Sequence, residues 1–337
     1  MRRKKMRKFG FLAGLLVILL AASTAFAGPI VIKFSHVVAV DTPKGQAAEY
    51  FKKLVEERSN GAIKVEVYPN ASLYDDREAL EALSMNAIQM AAPSFSKFTS
   101  FVPQLELFDL PFLFNDVDHL HRVLNGEVGQ KLLEMVGKKG LVGLAYWDNG
   151  FKELSANKPL IKPEDAAGLK FRIMSSKVLE AQFKALGANP QVLPFSEVYS
   201  ALQQGVVDAC ENPLSNFYTK KFYEVQKDLT ISNHGYLGYM VVTNKLFWKK
   251  LNDDQRALVS QAMKEATEYA DKLAQDMDVK YLGDIKAAGT TTIHELTPQQ
   301  RKAWKDKLVT IYPEFYDSIG KDLIEGAMAA GEMAPSK

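Results

Sequence analysis

The chain has 337 residues, 47% of them hydrophobic and 24% charged, with a formal net charge of +2 at pH 7 and a single cysteine, Cys210. That composition excludes a disordered or collagen-like chain and suits two domains, or one large one, with a sizeable core. One cysteine excludes an intramolecular disulfide, so stability must come from packing.

Residues 1–27 read as an export leader. Arg2, Arg3, Lys4, Lys5, Arg7 and Lys8 form a basic head, Phe9 to Ala22 is an apolar run, and Ala25-Phe26-Ala27 is a small-x-small cleavage signal. Gly28 is then the first mature residue. The alternative is an uncleaved anchor, but the run is short for a span of about 20 residues. The leader holds six basic residues and no acid, so the remaining 310 residues carry a net charge of −4. No basic stripe remains, and nucleic acid is not an expected partner. No further long apolar run follows, so a soluble body in a bacterial periplasm or on an outer surface is expected.

Ile30 to Ser35 reads as a strand, and Pro43 opens a helix that runs to about Ser59 and stops at Asn60-Gly61. Ile63 to Tyr68 alternates as a second strand. Asp75 caps the next helix, with Glu78 at the reciprocal position. Strand–helix–strand–helix order predicts an α/β fold with a largely parallel sheet. Strands follow near Leu141–Tyr146 and Lys170–Ile173, and a helix from Ser176 to Leu186.

One unit recurs in altered form. Glu78 to Met90 and Glu197 to Ala209 each read as a helix, a left-handed turn residue (Asn86, Gly205) and a strand. The first leads into Pro93-Ser94 and the second into Asn212-Pro213. Two lobes of like topology facing a common cleft would explain the recurrence; chance similarity is the alternative. Asn252 and Gln255 open a long helix with an apolar face at Leu258, Ala262, Ala266, Tyr269, Leu273 and Met277. Its 30 residues up to Gly283, at about 1.5 Å each, span roughly 45 Å, enough to cross both lobes. Thr297-Pro298-Gln299-Gln300 opens what reads as the last helix, and the tail after Gly331 is expected to fray. The division predicted is 28–150 with about 238–277 for lobe I, and 151–237 with about 278–337 for lobe II.

There is no GxSxG elbow, HExxH or phosphate loop. His119 and His121 face apart on a predicted helix, which argues against a shared metal. Cys210 lies on an apolar strand and reads as a packed thiol. Asp75, Asp76 and Glu78 read as helix-start residues. No catalytic residue, cofactor or metal is assigned.

A binding constellation is better supported. Arg172 ends a short strand, Gly168 to Arg172, and Asn212 follows another, Gly205 to Pro213. A guanidinium fork matches both oxygens of a carboxylate. His36, Lys44, Ser94 and Lys152 also fall near predicted strand ends or helix starts, where ligands bind in open α/β sheets. Phe195 and Phe217 are candidate apolar contacts. The plain alternatives are a surface ion pair for Arg172, turn shaping for Asn212, a solvated loop charge for Lys152 and core packing for the aromatics. Several cations at one cleft predict an acidic ligand with more than one carboxylate.

Long ordered motifs resemble a known family. Ile32-Lys33-Phe34-Ser35-His36-Val37 with Asp41 to Gly45, Phe108 to Phe114, Gly168 to Arg172 and Gly205 to Pro213 are similar to the TRAP-transporter solute receptors of the DctP type. Phe222 to Lys227 with His234, and Tyr239 to Asn244, extend the likeness over nearly the whole mature chain. The resemblance implies a two-lobed periplasmic binding protein fold of type II character, each lobe a mainly parallel sheet flanked by helices, with the long helix crossing both. It implies a monomeric receptor that closes over an organic acid and hands it to a membrane permease driven by an ion gradient. By the same resemblance Arg172 forms the carboxylate salt bridge and Asn212 assists. Many relatives carry a second arginine where this chain has Lys152. A lysine there, with Leu154 to Asn157, is similar to the C4-dicarboxylate branch, which implies succinate, malate or fumarate. Another carboxylate such as a 2-oxo acid or sugar acid, an exported carboxylate-acting enzyme and a sensory binding subunit remain the other readings.

Overall fold

The computed structural model describes residues 28–332. The expected export leader and all but the first residue of the tail after Gly331 lie outside them. Among the described residues no helix is long and apolar enough to cross a membrane.

Among the described residues nine strands form one sheet: β1 (Ile30–Ser35), β2 (Ile63–Tyr68), β3 (Met90–Ala91), β4 (Leu141–Ala156), β5 (Lys170–Ile173), β6 (Asn189–Val192), β7 (Ala209–Asn212), β8 (Asp228–Asn244) and β9 (Thr292–Glu295). Their order is β2-β1-β3-β8-β4-β7-β5-β6, with β9 beside β8. The order reads the same from either end once equivalent strands are matched. β1 lies parallel between β2 and β3, and β5 lies parallel between β6 and β7. Each trio is closed by an antiparallel partner, β8 for the first and β4 for the second. The recurring helix–turn–strand unit is therefore a repeat in space: β3 and β7 hold equivalent places, and Asn86 and Gly205 both turn with positive φ, 56° and 70°.

The two halves are mainly parallel, as expected, but they share β4 and β8, which run antiparallel through the middle. The fourth strand does not stop near Tyr146. It continues past Gly150 to Ala156, because bulges on either side let it bend and Gly150 adopts φ 140°, open to glycine. Both faces of these strands are covered, so they read as apolar runs rather than alternating ones.

Local signals set the helix starts. Thr42 accepts from Gly45 N to cap helix Pro43–Arg58, Asp75 and Glu78 form a capping box on Asp76–Ser84, and Thr297 and Gln300 form another on Pro298–Leu308. The long helix is Asp253–Ala288, capped by Asn252 and Gln255. It runs through Gly283, so its 36 residues span roughly 54 Å. Its buried stripe is Val259, Ala262, Met263, Ala266, Ala270, Ala274, Met277, Tyr281 and Ile285, which only partly coincides with the expected face. It packs on helix Pro43–Arg58 in the first half and Leu214–Thr219 in the second.

Pro298–Leu308 is not the last helix: Lys321–Glu332 follows. The segment of about 278–337 that contains it is expected in the second lobe. Its Leu323, Ile324 and Ala327 instead bury against Leu120, Val123, Leu124 and Val128 of the first. Arg122 Nε donates to Ala330 O at 2.7 Å and His119 Nε2 to Ala327 O at 2.7 Å. The first of these reaches a carbonyl of the last turn, which has no partner within the helix Lys321–Glu332.

Candidate functional site

The carboxyl ends of β1, β3, β5, β6 and β7 converge on one cleft of about 530 Å³, part of it continuous with solvent. Open α/β sheets place ligands there. From the first half come Val37, Val38, Asp75, Asp76, Ser94 and Lys97; from the second, Arg172, Met174, Pro194, Phe195, Glu211, Asn212 and Asn216. Lys152, Leu237 and Tyr239 on the shared strands complete the wall.

Arg172 is only 3% exposed. Neighbouring Phe171 stacks on Phe183 at 4.3 Å and fixes the strand beneath it. Its Nε and Nη2 donate to Leu193 O at 3.1 and 2.9 Å, which orients the guanidinium, and its carbon lies 5.9 Å from the Phe195 ring centre. Burial lowers its pKa, opposed by Cys210, Glu211 and Asp76. Asn212 is 4% exposed and ends β7, with its amide 3.5 Å from Cys210 Sγ. Cys210 is a buried free thiol whose pKa burial pushes up. Ser94 Oγ and Asn216 Oδ1 are buried in the wall without a hydrogen-bond partner among the described residues. Buried polar atoms are rarely left so, and a cleft that presents two of them can satisfy a polar ligand.

Lys152 is neither a loop residue nor at a strand end: it lies well inside β4 and is 1% exposed. Its Nζ reaches Glu211 Oε1 at 2.5 Å. Glu211 Oε2 accepts from His234 Nε2 at 2.8 Å, and His234 Nδ1 accepts from Ser232 Oγ at 2.8 Å. Burial alone would raise the Glu211 pKa, but Lys152 and His234 outweigh it and hold it at about 2. The Lys152 charge is thus met by a carboxylate of the protein itself.

Three expected site residues are not in the wall. Lys44 is fully buried; Nζ donates to Ala92 O at 2.9 Å and sits 3.4 Å from the centre of the Tyr239 ring. It lies in the first turn of a helix packed under the sheet, so it backs Tyr239 rather than facing the cleft. Burial lowers its pKa to about 8, with Asp76 opposing. His36 is 1% exposed with neither ring nitrogen hydrogen-bonded among the described residues, and burial, then Lys44, lowers its pKa to about 3. The chain beyond it puts Val37 and Val38 at the cleft instead. Phe217 packs in a core cluster with Val198, Leu202 and Phe222. Of the expected set, the cleft gathers Arg172, Asn212, Lys152, Ser94 and Phe195.

Sequence reasoning missed Lys97. It ends the turn Phe95–Lys97, directly after Ser94. Burial lowers its pKa first, Arg172 lowers it further and Asp76 opposes both, so the two cations share one electrostatic space. The short Ser94-to-Lys97 spacing was the available signal. Asp75 and Asp76, read as helix-start residues, do cap the helix, yet they also line the cleft.

The family model of the bacterial extracellular solute-binding proteins, family 7 (DctP), matches residues 34–319. The chain belongs to this family. It is 54% identical to the C4-dicarboxylate-binding periplasmic protein DctP of Rhodobacter capsulatus over 326 residues, 96% of this chain and 98% of that one. A TRAP periplasmic solute binding protein of Sulfurospirillum deleyianum, solved with bound succinate, is 60% identical, with a TM-score of 0.88 over 90% of this chain and 99% of that one. Another from Pseudomonas aeruginosa, solved with bound L-malate, is 43% identical, with a TM-score of 0.83 over 85% and 100%. As a member of the DctP family, this protein is a TRAP-type solute receptor for small organic acids.

Proposed function

We propose that this DctP-family receptor takes C4-dicarboxylates such as succinate, malate and fumarate, with Arg172 and Lys97 each meeting one carboxylate. The observation that carries the reading is the pairing of these cations across one cleft. Arg172 stands at the end of β5 in the second half, and Lys97 just past β3 in the first. Lys152 is already neutralised by Glu211, so Arg172 and Lys97 are the two cations left to a ligand. Asn212, Asn216 and Ser94 supply polar contacts, and Phe195 covers the Arg172 side. The named ligands of the relatives from Rhodobacter, Sulfurospirillum and Pseudomonas support the same class.

A ligand that bridges the two halves binds the closed cleft better than the open one and so shifts the population toward closure. Exclusion of water strengthens both charge-assisted contacts. The receptor acts in the periplasm after removal of residues 1–27, as a monomer. It passes its ligand unaltered to a TRAP membrane permease, without catalysis and with no cofactor.

Calorimetry with succinate, L-malate and fumarate against butyrate and a sugar acid tests the reading. Dicarboxylates should bind tightest and leave unchanged by mass spectrometry. Equal or better binding of butyrate would overturn the ligand class, and conversion of the bound acid would overturn the receptor role.

A further inference from the structure

We propose that His121, Asp148 and Asp271 form a binding site for a divalent metal ion, Zn²⁺ by its donor set, separate from the organic-acid cleft. One ligand atom from each lies within 4.8 Å of the others. They come from three elements: His121 from helix Val117–Asn125, Asp148 from β4 and Asp271 from the long helix. One imidazole nitrogen and two carboxylate oxygens are a donor set zinc accepts, with a water in the fourth position.

The surroundings favour a cation. Tyr236 OH donates to Asp148 Oδ1 at 2.6 Å, leaving Oδ2 directed at His121 Nε2, also at 2.6 Å. A hydrogen-bonded carboxylate is the outer support that orients a metal ligand. Asp118 and Glu268 add negative charge nearby. Among the described residues neither Asp148 nor Asp271 pairs with a lysine or arginine. Asp148 is buried, while His121 and Asp271 are part-exposed, which leaves a route from solvent. The other histidine of the pair points away: His119 Nε2 donates to Ala327 O.

The ion would replace the hydrogen bond between His121 Nε2 and Asp148 Oδ2, now 2.6 Å long, with those two atoms moving apart to admit it, the imidazole proton carried on Nδ1 and Asp271 closing the third side. The ion would tie the long helix to β4, the strand that carries Lys152, beside the bulge at Gly150.

The test is titration of metal-stripped protein with Zn²⁺ by calorimetry. The expected result is one saturable site, at least tenfold weaker in His121→Gln and in Asp271→Asn. It should be unchanged in His294→Gln, which alters a part-buried His–Asp pair elsewhere, His294–Asp228. Co²⁺ offers a readout on the unsubstituted protein: visible absorption distinct from Co²⁺ in buffer and abolished by Zn²⁺. No saturable uptake, uptake indifferent to both variants, or a Co²⁺ spectrum like that in buffer would overturn the proposal.

Discussion

Lys152 Nζ and Glu211 Oε1 lie 2.5 Å apart in the wall of the cleft, with side chains 1% and 2% exposed. The lysine ties the shared strand β4 to β7, the strand that presents Asn212. Removing one partner of such a pair leaves a buried charge uncompensated. Lys152→Met should therefore destabilise the protein by roughly 3–5 kcal/mol. The double variant Lys152→Met/Glu211→Gln should recover much of that loss. Urea denaturation measures both; a single variant as stable as the parent would show that the pair is structurally idle.

Arg172 gives the most direct binding prediction. Arg172→Ala should cost roughly 2–5 kcal/mol of succinate affinity, because the desolvated carboxylate loses its partner. Arg172→Lys should also bind worse, since a point charge cannot replace the fork and cannot make both bonds to Leu193 O. Undiminished affinity in Arg172→Ala, read by calorimetry, would refute the assignment.

Lys97 should set the preference for a second carboxylate. Lys97→Met is expected to weaken succinate far more than butyrate, which has no second carboxylate to lose. Equal loss for the two ligands would assign Lys97 to the architecture of the cleft instead.

Glu153 makes stability depend on pH. Burial pushes its pKa from 4.5 up to about 8, against the backbone N–H groups of Asn233 and Ser232. A raised carboxyl pKa contributes stability that is whole below the unfolded value and lost as pH climbs through the folded one. Stability should fall between about pH 4.5 and 8, and Glu153→Gln should flatten part of that fall. Asp109, raised to about 6, and Asp278, raised to about 7, act in the same direction. Melting curves across this range would show it, and an unchanged slope in Glu153→Gln would contradict it.

Two glycines in helices should respond oppositely to alanine. A Cβ at Gly45 would lie 2.3 Å from Ala39 O and 2.6 Å from Val40 O, both backbone atoms that cannot move cheaply. At Gly283, inside the long helix, nothing lies within 4 Å. Gly45→Ala should lower the melting temperature, and Gly283→Ala should add about 0.5–1 kcal/mol. Thermal unfolding of the two variants compares them directly.

Much of the architecture was legible because its signals are local. Thr42, Asp75, Asn252 and Thr297 announce helix starts through side chains that bond their own backbone. The alternation of Ile63 to Tyr68 marks a strand with one polar face, and Asn86 and Gly205 mark equivalent turns. The end of the fourth strand was not legible, since Asn149-Gly150 reads as a turn and only pairing with β8 makes it a bulge. The docking of Lys321–Glu332 on Val117–Asn125 joins segments some 200 residues apart, beyond any periodicity in either.

The sequence by itself determined the strand ends that carry Arg172 and Asn212, the long helix, and a taste for acids, because hydrogen bonding along the chain and charge type are read residue by residue. Only tertiary structure decided which cations stay available to a ligand. Lys44 is turned under Tyr239, Lys152 is taken by Glu211, and Lys97 is brought toward Arg172. Charge is written in the chain, but its neutralisation depends on partners that meet only when distant strands pair.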